Sequence, residues 1–484
     1  MIRTVAALLL CVCASSSACA DFVLYTIPGT GAAIVLQGTT TVHPGRTVSL
    51  RHPRFGNLHF GLEDVRIHEV PTTQEICRRM LNRARGTRDA DQVMEAARWA
   101  LAHGQLDDFY KGCQEALKLD ASHAEATRAL RLAERLERPL EESSEEEQHL
   151  RQTVRNPDMK IQRSAHFILL HDTPAKPSPN HKLPRADERL ELLEMVYEAF
   201  LQKFYSRGVE LEIPTRPLMV VLFAEHDDYL RFAESIGPEL RSTAGFWDSK
   251  TNVSFFFDQG STDTYEALKE ISRQLSHEAD ELVRLRVSGG KHIIRLARTL
   301  ELLVEVGQEN SDIEVVSHEC THQLAGNTGL LPRDVMIPSW VHEGLATYFE
   351  APDEATWAGI GAVNEERIRW YRALERDKRH SNIDFIVGDQ IFDYAQTIGA
   401  ALHGYGQAWA LTHFLMDRHF EELMTYYRRL GEMPPDVILS SEVLTDLFDE
   451  AFGDDREALD AEWRSYMGSL KTDLDRILNE SRRR

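Results

Sequence analysis

The chain of 484 residues carries 55 Lys and Arg against 77 Asp and Glu, a formal net charge of −22. Such an excess is repelled by phosphate backbones and by anionic membrane surfaces, which argues against nucleic acid or a charged lipid surface as partner. A hydrophobic fraction of 42% with 27% charged residues is that of ordinary globular protein, and the length allows roughly two to four domains.

Residues 1–20 read as a signal peptide. Arg3 gives the positive end, residues 5–12 the apolar core and Ala18-Cys19-Ala20 the cleavage site. The apolar run is too short to span a bilayer, and no later stretch approaches the ~20 apolar residues required. The mature chain is expected to begin near Asp21, secreted or periplasmic, with acylation of Cys19 as the alternative. Cys77, Cys113 and Cys320 then remain, too few for a disulfide framework, and spacing leaves a Cys77–Cys113 bond open.

Residues 21–70 alternate as strands do. Phe22-Val23-Leu24, Ala33-Ile34-Val35-Leu36, Thr47-Val48-Ser49-Leu50 and Leu58-His59-Phe60 are separated by turn residues, predicting a small antiparallel β unit. Over 71–140 the period becomes helical, and residues 97–120 resemble a single tetratricopeptide-type helix pair. No second copy follows at a 34-residue period, so the pair is expected to pack on its neighbours rather than form a peptide-binding array. The acidic run at 141–147 marks either a linker over 141–160 or a solvated helix end.

A larger domain is expected over 161–430. His166-Phe167-Ile168-Leu169-Leu170 and Leu218-Met219-Val220-Val221-Leu222-Phe223 read as buried strands flanking a helix over 186–205, a β-α-β opening. Residues 244–248 and 252–257 predict a hairpin, with 252–257 either the edge offered to an extended substrate or an ordinary sheet member. Residues 262–309 read as a helical hairpin inserted ahead of the next helix, its His277 and His292 on the surface. Residues 431–484 are expected to be C-terminal helices. The fold class is therefore α+β: a small N-terminal β unit and helix pair, then a domain with a mixed sheet and a mostly helical C-terminal part.

The chemistry is concentrated in residues 311–350. His318-Glu319-Cys320-Thr321-His322 spells H-E-x-x-H; on a helix, residues four apart share a face, so both imidazoles reach one ion. Glu319 then lies where a carboxylate takes a proton from water. Ser311 with Glu314 reads as a capping box that starts this helix. A hydrolytic zinc site wants a third protein ligand and an open position. Past Pro338 a second helix signal opens at Ser339 and carries Trp340-Val341-His342-Glu343-Gly344. A metzincin would need Gly and His where the chain has Ala325 and Thr328. His342 lies about 100° round the helix from Glu343, so only one of the two faces the ion, and Glu343 is the preferred third ligand. Cys320 points away from the ligand face and is expected to pack inward.

H-E-x-x-H followed by W-x-x-E-G-x-A-x-Y resembles the gluzincin metallopeptidases, and W-V-H-E-G-L-A-T-Y-F-E is similar to W-L-N-E-G-F-A of aminopeptidase N relatives. More closely, residues 165–470 resemble the peptidase-MA-like domain of an uncharacterised family of secreted bacterial proteins. The resemblance implies a thermolysin-like zincin domain with one Zn2+ per chain at His318, His322 and Glu343. It also implies Glu319 as general base and acid, and a peptide or protein substrate. Relatives of aminopeptidase N stabilise the oxyanion with a Tyr opening a Y-E-x-G/A helix; Tyr405-Gly406-Gln407-Ala408 is the match, departing at Gly406. Their G-x-M-E-N signature has no copy here, so aminopeptidase specificity is not implied. His403 and Tyr394 are spare candidates for transition-state support. His413 and His419 are expected to be structural, and Asp454 and Asp455 too sparse for calcium. The competing expectation is a non-catalytic scaffold stabilised by the same metal.

Overall fold

The computed structural model describes residues 19–27, 33–138, 140, 144–285, 290–397, 400–472 and 475. The signal-peptide reading falls almost wholly on 1–18, outside the described residues. Five strands open the chain: β1 (Cys19–Thr26), β2 (Ala33–His43), β3 (Thr47–Arg51), β4 (Asn57–Gly61) and β5 (Val65–Pro71). They form one antiparallel sheet in the order β4-β3-β2-β1-β5. Alternation does what it should: Val48 and Leu50 are buried while Ser49 between them is not.

Four helices follow: α1 (Thr73–Thr87), α2 (Ala90–Ala102), α3 (Leu106–Leu119) and α4 (Ala124–Leu136). The expected pair is α2 with α3, joined by α1 and α4 in one core with the larger domain. Cys77 and Cys113 lie in that core as free, buried thiols, which answers the open disulfide question.

The supposed acidic linker is a helix, α5 (Ser144–Val154). Glu145, Glu146 and Glu147 occupy its first turn, where carboxylates meet unpaired N–H groups, and Leu150 packs on the sheet beyond. Of the two readings of the acidic run, the helix end is the one found, and 144–154 is not a linker.

The second sheet comprises β6 (Lys160–Arg163), β7 (Phe167–His171), β8 (Leu218–Phe223), β9 (Gly245–Asp248) and β10 (Val253–Phe257). Its order is β6-β7-β8-β10-β9, with β7, β8 and β10 parallel and the outer strands antiparallel. Between β7 and β8 runs α6 (Arg185–Tyr205), and α7 (His226–Ile236) follows β8. Both faces are covered, hence the unbroken apolar strands: Phe167 and Leu169 face α6, whereas Ile168 and Leu170 face α5 and α7. Residues 252–257 are therefore not the edge. β10 is sandwiched between β8 and β9 as an ordinary sheet member, and β9 is the outer strand on that side.

Next come α8 (Asp263–Arg284) and the 38-residue α9 (Gly290–Asn327). The second arm of the expected hairpin and the H-E-x-x-H helix are one continuous helix. Ser311 caps nothing; its hydroxyl donates back to the Gly307 carbonyl at 3.1 Å. The N-terminal half of α9 places Leu302 and Val306 against the β unit. The C-terminal half buries Ile313, Val316, Cys320 and Leu324 in the main core. Each large apolar chain so buried is worth about 1.5–3 kcal/mol, and at 100° per residue this face turns His318 and His322 to the other side.

A buried ionic knot joins these parts. Arg189 meets both oxygens of Glu309 (2.7 and 3.2 Å), Arg185 adds 2.5 Å, and Arg54 arrives from the β unit at 3.2 Å. Burial alone would raise the Glu309 pKa, but the three guanidiniums hold its carboxyl below the usual range. His181 and Glu188 lie close enough to Glu309 to suggest a metal cluster. Arg54 and Arg185 also reach Glu188, at 2.9 and 3.3 Å, so the chain supplies the positive charge itself.

The C-terminal part is helical: α10 (Ser339–Phe349), α11 (Glu365–Leu374), α12 (Ile383–Val387), α13 (Ile391–Thr397), α14 (Leu402–Arg418), α15 (Phe420–Gly431), α16 (Ser441–Phe452) and α17 (Arg456–Ser469). The α10–α14 crossing needs Gly344, where a Cβ would stand 2.2 Å from Thr412 Oγ1 and 2.8 Å from the Ala408 carbonyl oxygen.

Candidate metal centre

α9 supplies His318, Glu319 and His322, and α10 crosses it to supply Glu343. The expected ligand atoms converge. His318 Nε2 lies 3.1 Å from His322 Nε2 and 3.1 Å from Glu343 Oε2, and His322 Nε2 lies 3.7 Å from that oxygen. A tetrahedron with metal–ligand bonds of about 2.0–2.1 Å has edges near ~3.3 Å, which these separations straddle.

The donor set points the same way. His318 Nδ1 lies 2.7 Å from Glu350 Oε2, so the neutral ring carries its proton there and turns the Nε2 lone pair inward. Three possible ligand atoms thus face one point, an arrangement that a cation resolves.

Without a metal the titrating groups show the same tension. Burial opposes charging of His318, but hydrogen bonds to Glu343 and Glu350 raise its pKa well above the ordinary value. Burial and the neighbouring His342 push His322 down to about 3. Glu343 is held well below the usual range, its imidazole hydrogen bonds outweighing burial. Glu319 is pushed up to about 7, first by burial and then by the Glu343 charge, with His318 opposing.

Glu350 escaped the sequence reading although it ends the quoted motif. It is fully buried; its other oxygen accepts from Arg367 Nε and, at 3.2 Å, from Asn364 Nδ2. Arg367 reaches on to Glu314, the residue expected to serve in the capping box. The available signal was the spacing: seven residues past Glu343 is two turns along the same face.

Tyr405 is brought to the site, its ring centroid 6.4 Å from that of His318. The charge of Glu343, then burial and Glu319, raise its pKa, so the phenol keeps its proton. Gly406 explains the departure from the Y-E motif: a Cβ there would lie 2.8 Å from both Trp370 Cβ and the Tyr371 nitrogen. The spare candidates point elsewhere. His403 Nδ1 faces the Trp370 carbonyl oxygen at 3.3 Å, and Tyr394 stacks on His380 at 3.8 Å. His342 lies outside the His318–His322–Glu343 cluster and stacks on His322, with ring centroids 3.8 Å apart and planes within 8°. His413 is structural, as expected, held between the Tyr466 hydroxyl and the Gly361 carbonyl.

The family described as "Protein of unknown function (DUF1570)" matches residues 312–436. That stretch contains His318, Glu319, His322, Glu343, Glu350, Arg367 and Tyr405. Neither the curated proteins nor the solved structures give a match.

Proposed function

We propose that the protein is a zinc-dependent metallopeptidase of gluzincin type that hydrolyses peptide bonds outside the cytoplasm. The observation that carries this reading is the convergence of possible ligand atoms of His318, His322 and Glu343 beside the buried Glu319 carboxylate. His318, His322 and Glu343 would hold one zinc, which when bound acidifies water and polarises a carbonyl as a Lewis acid. Glu350, braced by Arg367 and Asn364, fixes the tautomer and the ring of His318. Glu319 accepts a proton from the attacking water and delivers it to the leaving amine. Tyr405, kept protonated, donates to the developing oxyanion, a contact commonly worth ~3 kcal/mol. An extended substrate would pair with β9, the outer strand of the sheet beside Glu319.

The net charge speaks against nucleic acid as partner, and among the described residues no helix is long and apolar enough to cross a membrane. The test pairs elemental analysis with cleavage of a mixed peptide library. Wild type should carry about one zinc and cleave, Glu343→Ala should lose the metal, and Glu319→Gln should keep the metal while losing most turnover. Bound zinc without cleavage in wild type would favour the metal-stabilised scaffold instead.

A further inference from the structure

Glu319 is the first member of a polar row. Glu319, Gln323 and Asn327 follow one another at intervals of four along α9, and at that spacing they line one face. All three face the β9–β10 hairpin. Glu319 packs against β9, where a Cβ on Gly245 would stand 3.0 Å from its Cγ, and the main-chain N–H of Trp247 lies on the side of its carboxylate. Gln323, fully buried, donates to the carbonyl oxygens of Asn252 (3.1 Å) and Met219 (3.0 Å). Asn327 and Asn252 exchange amide hydrogen bonds, Asn252 Nδ2 to Asn327 Oδ1 at 2.8 Å and Asn327 Nδ2 to Asn252 Oδ1 at 2.7 Å. Asn252 Oδ1 also accepts from the Trp247 indole N–H at 3.2 Å. The row returns in this way to Trp247, beside Glu319.

The hairpin turn does not need this side chain. Asp248 already accepts from the main-chain N–H groups of Lys250 and Thr251 and from the Thr251 hydroxyl. Asn252 has φ 58°, a left-handed backbone that glycine would supply without a side chain. Asparagine adds bonds directed at α9 and at Trp247.

Building on the metallopeptidase reading, we propose that Asn252 and Asn327 form a positioning clasp that registers the outer strand β9 against Glu319. The clasp keeps β9, with its Trp247 N–H and the close-packed Gly245, at a fixed position against the Glu319 side chain. It thereby sets a single distance between the general base and the strand on which substrate lies. Asn252 and Asn327 touch neither metal nor substrate; they act through Trp247 and Glu319.

The test is Asn252→Asp. This change keeps shape and backbone preference, but sets a carboxylate oxygen against Asn327 Oδ1. Asn327 cannot escape by rotating its amide, because its Nδ2 also donates to the Gln323 carbonyl at 2.7 Å. The expected result is zinc content equal to wild type, KM within about twofold and kcat lowered at least tenfold, since small misplacements of a reacting group are costly. Asn327→Asp should behave alike, since it sets a carboxylate oxygen against Asn252 Oδ1. Val48→Ala, in the core of the N-terminal sheet and matched in denaturation midpoint, should keep wild-type kcat. Equal kcat in Asn252→Asp and Val48→Ala would overturn the clasp while leaving the hydrolytic reading intact. Absence of cleavage by wild type would overturn both. If Asn252→Asp does not fold, Asn252→Gly removes the side chain and keeps the turn. Amide exchange needs no substrate: the Trp247 N–H should be protected in wild type and exchange faster in either variant. Unchanged protection would also overturn the clasp.

Discussion

Glu350→Gln tests whether the centre is held from behind. The carboxylate is fully buried and accepts from His318 Nδ1, Asn364 Nδ2 and Arg367 Nε. Glutamine preserves the shape but turns one acceptor end into a donor. With its NH2 toward His318, the imidazole must move its proton to Nε2 and withdraw the lone pair from the ligand cluster. With its NH2 toward Arg367, three donors crowd together, one of them cationic. Either arrangement leaves a buried polar group unsatisfied, at about 1–3 kcal/mol. Loss of such an outer partner typically weakens metal binding 10–100-fold, which is about 1.4–2.8 kcal/mol at 1.4 kcal/mol per decade. The assay is zinc competition against a chromophoric chelator, with circular dichroism confirming that the variant is folded. A zinc Kd within twofold of wild type in a folded Glu350→Gln protein would refute the role given to Glu350.

Two further predictions concern the scaffold. Gly406→Ala should lower the urea midpoint by an amount equivalent to roughly 1–3 kcal/mol, because the added methyl meets the α11 backbone at Tyr371; an unchanged midpoint would contradict the close crossing of α11 and α14. His413 is pushed down to about 4 by burial, so the folded protein disfavours its charged form. Its contribution is full above the unfolded pKa of about 6.5 and is lost as pH falls from there toward 4, with an upper bound of about 3 kcal/mol. Urea denaturation across that window should show the loss in wild type and a flatter acid limb in His413→Gln. Parallel pH profiles for the two proteins would remove His413 as the cause.

The sequence by itself determined what depends on spacing along one element. His318 and His322 share a face because they stand four apart, and the apolar residues 313, 316, 320 and 324 dictate which face that is. Alternation over 21–70 gave an antiparallel unit, and unbroken apolar runs gave the buried strands β7 and β8. Glu343 was legible because the second helix signal is as local as the first.

Only the tertiary structure decided what depends on contacts between distant segments. Sheet order is one such quantity: strands 245–248 and 253–257 both read as members of one hairpin, and pairing with β8 makes the second an interior strand and the first its outer neighbour. The capping box at Ser311 failed because a cap requires the chain to turn, and the apolar face of α9 continues through that point to meet the β unit at Leu302 and Val306. Spacing places Glu350 on the face of Glu343, but the donors it needs, Arg367 among them, were hidden for a related reason. A buried carboxylate is stable only where donors from other helices converge on it, and no local pattern records that convergence. Asn252 and Asn327 stand 75 residues apart, and their reciprocal bonds exist because the sheet brings the hairpin onto the end of α9.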